Sequence, residues 1–191
     1  MLRLPRDTVL MIIDLQQAID HPKWGPRNNP RAEANAAALI AAWRGRGLKL
    51  IHVRHDSVEP NSPYRPGQPG HDFKADVAPL AGEAVVGKTT ADAFVGTGLE
   101  ALLEAGGHTT LVIAGVLTQN SIDATVRHAA CLGFRVILAE DATWSVDIVD
   151  RRGRRWPADD VQALFMAALD GEYATVCGSE TVLSAMSRMR R

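Results

Sequence analysis

Apolar residues in this chain cluster in short runs, separated by stretches that Pro and Gly punctuate. Thr8–Asp14 (TVLMIID) is a continuous apolar run ending in a carboxylate, the pattern of a strand buried on both faces of a parallel sheet. Pro30–Gly47 is Ala-rich, opens with Pro and closes with Gly, which predicts a helix. Lys49–His55 (KLIHVRH) predicts a second strand and Ala84–Lys88 (AVVGK) a short one. Between them lies a long loop rich in Pro, Gly and Ser, of the kind that usually carries function. Gly96–Gly107 then reads as a helix bounded by glycines, Thr110–Val116 (TLVIAGV) as a strand, and Thr118–Gly133 as a helix. Phe134–Asp141 (FRVILAED) is a strand, Pro157–Gly171 a helix, Tyr173–Cys177 a last strand and Ser179–Arg191 a last helix.

Strands alternate with helices throughout, which predicts a three-layer α/β fold with a mostly parallel sheet. No repeat or linker divides the chain, so residues 1–191 read as one domain. With 46% apolar residues the chain is expected to build a real core. Its 21 basic and 22 acidic residues leave a formal charge of −1, no footprint for nucleic acid or an anionic membrane surface. Cys131 and Cys177 make neither a disulfide framework nor a metal spacing, so a reducing compartment is the default. The apolar run near the N-terminus is short and broken by Asp14, unlike a signal peptide or membrane span. A soluble, cytoplasmic protein is expected.

In such sheets ligands bind outside the carboxyl ends of the strands. Three polar residues fall there: Asp14 after the first strand, Lys88 at the end of AVVGK, and Ser121 just past the strand ending at Val116. Taken singly, each has an ordinary reading, as a strand-end polar residue, a surface lysine and a first-turn helix residue. Taken together, a carboxylate, an ammonium and a hydroxyl suit nucleophilic catalysis, with Asp14 as base, Ser121 as nucleophile and Lys88 as charge stabiliser. Helix-start amides nearby could hold an oxyanion.

The segments MIIDLQQ, GKTTADAFVGTGLEALL and VIAGVLTQNSIDATVRHAACLGFRVILAEDAT together resemble the isochorismatase-like cysteine hydrolase superfamily along nearly the whole chain. AIDHPKWGPRNNP and SPYRPGQPGHDFK are similar to segments of one branch of small-molecule amidohydrolases. The resemblance implies a Rossmann-like αβα sandwich with a six-stranded sheet and an Asp-Lys-Cys triad at Asp14, Lys88 and Ser121. It further implies a cis peptide between Val116 and Leu117, an oxyanion hole from the amides of Leu117 and Ser121, and a homo-oligomer, dimer or tetramer. The implied activity is hydrolysis of a small-molecule amide or related C–N bond.

The chain departs from that pattern at the nucleophile, where Ser121 stands in place of cysteine. A serine hydroxyl is far less acidic than a thiol and needs a base at the moment of attack. Three accounts stand side by side: serine is the nucleophile of its own branch, serine replaces a natural cysteine, or no covalent step occurs. In the last, Asp14 protonates a vinyl ether as some isochorismatases do. A binding protein that has lost catalysis is a further reading.

Gln16, Trp24, Phe94 and Asn120 are the candidate substrate contacts, each against an ordinary packing or capping role. Arg127 and His128 read as residues facing solvent or a partner, and Asp150–Arg155 (DRRGRR) as a solvated charged loop. Nicotinamidases of the superfamily hold a metal, but their DWH pattern is absent here. His52 and His55 should point to opposite sides of their strand, so His52, His55, Asp56 and His71 are not expected to share an ion. No metal and no cofactor are expected.

Overall fold

The computed structural model describes residues 1–189. Six strands form one parallel sheet: β1 (Val9–Ile13), β2 (Leu50–His55), β3 (Ala84–Lys88), β4 (Thr110–Val116), β5 (Arg135–Trp144) and, omitting a small ladder described below, a last strand at Thr175–Cys177. Counting outward from one edge, the sheet runs β3, β2, β1, β4, β5 and then that last strand. The chain winds one way from β1 to β3 and the other way from β4 onward. The reversal therefore falls between β1 and β4, where open α/β sheets leave a crevice at their carboxyl ends.

Every residue of β1 and β4 is buried, as expected of central strands covered on both faces. Alternation along β1 divides the core. Leu10 and Ile12 pack with α1 (Ala32–Arg46) and with the C-terminal helix Ser179–Ser187, whereas Val9, Met11 and Ile13 pack under α2 (Leu99–Ala105), α3 (Asp123–Cys131) and α4 (Ala158–Leu169). The three layers follow from that division. The expected final helix stops at Ser187, and Arg190 and Arg191 lie outside the described residues.

Two features depart from the expected elements. The helix after β4 does not start as a regular α-helix at Thr118. Residues 118–122 make a wide turn, closed by the Ile122 amide on the Leu117 carbonyl at 3.2 Å, and α3 begins at Asp123. The expected loop Asp150–Arg155 is the tip and the first residue of the return strand of a two-stranded antiparallel ladder, β6 (Ile148–Val149) with β7 (Arg155–Trp156). The last strand of the main sheet is accordingly β8. In the tip, Asp150 Oδ1 accepts from the amides of Arg152 and Arg154 at 2.8 and 3.0 Å.

Candidate active site

The site is built where three strands stop. Asp14 follows β1 with a φ of 55°, a left-handed conformation that Asp tolerates better than bulkier residues. Its amide is held by the Val53 carbonyl at 2.9 Å, and its own carbonyl accepts from the Gln16 amide at 2.8 Å. On the neighbouring strand Gly115 has a φ of 122°, and a Cβ there would stand 2.1 Å from the Ile13 carbonyl oxygen. Only glycine lets β4 approach β1 so closely. The Val116–Leu117 peptide is cis, as the resemblance implies.

At this point the three predicted polar side chains meet. Lys88 Nζ donates to Asp14 Oδ2 at 2.6 Å, to Ser121 Oγ at 3.1 Å and to the Thr90 carbonyl at 3.0 Å. Ser121 Oγ donates to the same Asp14 Oδ2 at 2.7 Å. The Lys88 side chain has no solvent exposure, and Asp14 and Ser121 are both buried. Asp14 Oδ1, by contrast, is buried without a partner among the described residues. Burial pushes the Asp14 carboxyl above the ordinary carboxylate range, and the Lys88 ammonium pulls against that shift. The hydroxyl thus sits between an oxygen that can take its proton and an ammonium that can steady the charge left behind.

Asp14 and Ser121 open onto a cleft of about 470 Å³, walled by Ile19, Trp24, Tyr64, Val116 and Leu117 and by the more polar His55, Ser57 and Asn120. Trp24 and Asn120, two of the candidate substrate contacts, line this cleft. The Trp24 ring meets Tyr64 edge-on with centroids 6.2 Å apart, and its Nε1 donates to the Ala18 carbonyl at 2.8 Å. The Tyr64 hydroxyl donates to the Asp14 carbonyl at 3.4 Å.

Two proposed substrate contacts lie elsewhere. Gln16 is fully buried and spends its amide on backbone: Oε1 accepts from the His55 amide at 2.7 Å, and Nε2 donates to the carbonyls of His55 and His71 at 3.1 and 2.8 Å. It ties the long loop to the end of β2 and does not line the cleft. Phe94 packs on the opposite face of the sheet, stacked on Phe134 at 6.1 Å and tilted against His128 at 5.2 Å.

The histidines have separate partners. His52 is buried and its Nε2 bonds Glu83 at 3.0 Å, whereas His55 lines the cleft. His71 pairs with Asp56 at 2.6 Å. Among the described residues, no group of three or more His, Cys, Asp or Glu is arranged to hold a metal ion. The sequence reading treated His55 only as a metal candidate and did not place Tyr64 in the site. The signal available for both was their place in or beside the long Pro- and Gly-rich loop.

Fold and site define a class, the parallel α/β proteins whose cleft opens at the carboxyl ends of the strands where the winding reverses. Within that class the chain belongs to the isochorismatase family of hydrolases, whose Isochorismatase domain model matches residues 8–181. Among solved structures it resembles an isochorismatase-family protein from Chromobacterium violaceum, at 58% identity over 98% of both chains and a TM-score of 0.95. It is 34% identical over 175 residues to the isochorismatase family protein YrdC of Bacillus subtilis, covering 92% of this chain and 94% of that one. It is also 33% identical over 160 residues to maleamate amidohydrolase of Pseudomonas putida, covering 71% of each. Members of the family are hydrolases, and some are amidohydrolases. Among the described residues, no helix is long and apolar enough to cross a membrane.

Proposed function

We propose that this protein hydrolyses a small-molecule amide or related C–N bond, with Ser121 as nucleophile. One observation carries the reading: Ser121 Oγ donates to Asp14 Oδ2 at 2.7 Å while Lys88 Nζ reaches both atoms. Asp14 takes the hydroxyl proton as Ser121 Oγ attacks the carbonyl carbon. The amides of Leu117 and Ser121 hold the oxyanion. As the C–N bond breaks, Asp14 passes the proton to the departing amine, leaving an ester on Ser121. Water, giving its proton to Asp14, attacks that ester, releases the carboxylic acid and restores the hydroxyl. The raised basicity of the Asp14 carboxyl supports this role, because an ordinary carboxylate is a poor base for an alcohol. Trp24 and Asn120 contact substrate from the cleft wall. The similarity to maleamate amidohydrolase supports an amide as the scissile bond.

The test is intact-protein mass spectrometry after incubation with a library of small amides, run beside turnover assays. An acyl adduct on Ser121 is expected, and Ser121→Ala should lose at least ~10³-fold in kcat. A second reading draws on the unpartnered Asp14 Oδ1 and the same upward shift, which also suit a general acid that protonates a vinyl ether with no adduct. In that case Asp14→Asn abolishes turnover and Ser121→Ala retains it.

A further inference from the structure

The reaction proposed above gives no work to His55, yet its ring lines the same cleft as Asp14 and Ser121. The ring is fixed before any ligand arrives. Gln16 grips both backbone groups of His55, accepting from its amide at 2.7 Å and donating to its carbonyl at 3.1 Å. Tyr64 meets the imidazole edge-on, with centroids 5.5 Å apart and planes at 74°. The two ring nitrogens differ. Nδ1 is buried with no hydrogen-bond partner among the described residues, and Nε2 is not isolated by burial in that way.

An imidazolium would place an N–H at Nδ1 where no acceptor waits. Burial correspondingly holds the basicity of His55 below that of an ordinary histidine. For the neutral ring the choice is between tautomers. A buried N–H without an acceptor is rarer than a bare acceptor without a donor, which favours the tautomer with the lone pair on Nδ1 and the proton on Nε2. The cleft wall then presents a rigid, uncharged N–H donor.

We propose that His55 is a specificity-determining residue whose Nε2–H donates to a carbonyl or carboxylate oxygen that the substrate carries beyond the scissile amide. This rests on reading the site as one for amides. Asp14, Lys88 and Ser121 act on the bond that breaks, and His55 selects for what lies next to it. An apolar group in that place would leave the Nε2–H without an acceptor, and lost hydrogen bonds of this kind discriminate more sharply than lost apolar contact.

The probes are succinamide, which bears a second carbonyl, and pentanamide, which has an alkyl chain instead. In wild type, KM for succinamide should be about tenfold below that for pentanamide, with kcat within about threefold. His55→Phe keeps an aromatic ring against Tyr64 and should bring the two KM values within about twofold; His55→Gln restores an N–H and should recover most of the difference. A preference that survives in His55→Phe overturns the proposal. In protein carrying ¹⁵N-histidine, NMR should show the Nε2–H tautomer at His55, and succinamide but not pentanamide should shift its signals. The Nδ1–H tautomer, or equal shifts with both probes, also overturns it. The NMR measurement requires no turnover, so failure of the hydrolase reading and failure of this inference are separate results.

Discussion

Asp14 and Glu33 each meet a lysine, and they differ in what remains unmet. Glu33, on α1, uses both oxygens: Arg27 binds them at 2.6 and 2.7 Å, and Lys74 adds a bond to Oε1 at 2.8 Å. The Arg27 guanidinium also stacks 3.7 Å over Trp144. Asp14 receives Lys88 and Ser121 on one oxygen and, among the described residues, nothing on the other, which is buried. Burial raises both groups, but the bonds from Arg27 and Lys74 overcome it and hold Glu33 down at about 2, whereas Asp14 stays above its ordinary value. The completed cluster ties α1 to two loops. The incomplete one is the floor of the cleft. An unmet polar atom costs stability, and it is also what a reacting group or a ligand can use.

The largest expected effect comes from breaking the incomplete pair. Lys88→Met leaves the Asp14 carboxyl buried without its ammonium, and loss of one partner of a buried pair costs about 3–5 kcal/mol. The double variant Asp14→Asn/Lys88→Met, which removes both charges while keeping a residue tolerant of the left-handed backbone, should recover much of that loss. Urea denaturation midpoints of the single and double variants check this. If Lys88→Met alone unfolds at the wild-type midpoint, the ion pair contributes nothing and the contrast with Glu33 fails.

The same contrast explains how much was legible in the sequence. Continuous apolar runs placed β1 and β4, because burial on both faces leaves a mark that needs no tertiary knowledge, whereas the half-exposed edge strand β3 was marked only by its short apolar start. Strand ends then located Asp14, Lys88 and Ser121, since in a parallel sheet an end position is nearly a place in space. Gln16 and Phe94 lie outside the cleft lining for one reason that the sequence does not carry: spacing gives distance along the chain but not direction. The amide of Gln16 is consumed by the backbones of His55 and His71, groups that come from 39 and 55 residues away. Phe94 turns to the opposite core because Asp92 Oδ1 accepts from its amide at 2.8 Å, and His128 and Phe134 receive its ring. The ladder of β6 with β7 left no hydrophobic mark, because each strand has two residues and the tip is organised by one aspartate. His55 is weighed in the sequence only against a metal role, and its place on the cleft wall beside Tyr64, nine places along a loop, is one that pattern cannot position.

A smaller effect tests the completed cluster. Glu33→Gln keeps the shape and removes the charge, and after allowing for solvent screening at this partly exposed group it should cost about 1–2 kcal/mol at neutral pH. The sign follows from the lowered folded value: the stabilisation is present above the ordinary value of 4.5 and disappears as the pH falls toward about 2. Wild type and Glu33→Gln should therefore converge in Tm across that window. Asp14 has the opposite slope, its contribution being present below the ordinary value of 3.8 and lost as the pH rises through the raised folded one. A constant gap between wild type and Glu33→Gln from neutral pH to pH 2 would mean that its ion pairs are not what Glu33 contributes.

The smallest effect is expected two residues from the proposed nucleophile. Asp123 begins α3 and accepts from Arg127 Nε at 2.9 Å, one turn along the helix. Arg127 in turn lies 4.5 Å over the Tyr173 ring. Both charged side chains are partly exposed, and Asp123 does not line the cleft. Such a pair contributes about 0.3–0.5 kcal/mol, with a similar term from a negative charge in the first helical turn. Asp123→Asn should thus lower stability by less than about 1 kcal/mol, and the difference should shrink in ~1 M salt, where screening reaches only about 3 Å. Turnover should stay within about twofold of wild type, since the side chain has a partner outside the cleft and touches none of Asp14, Lys88 or Ser121. A large loss of kcat in a folded Asp123→Asn protein would show that the wide turn carrying Ser121 is positioned by α3, and that nearness in the chain matters here as much as the unmet atom.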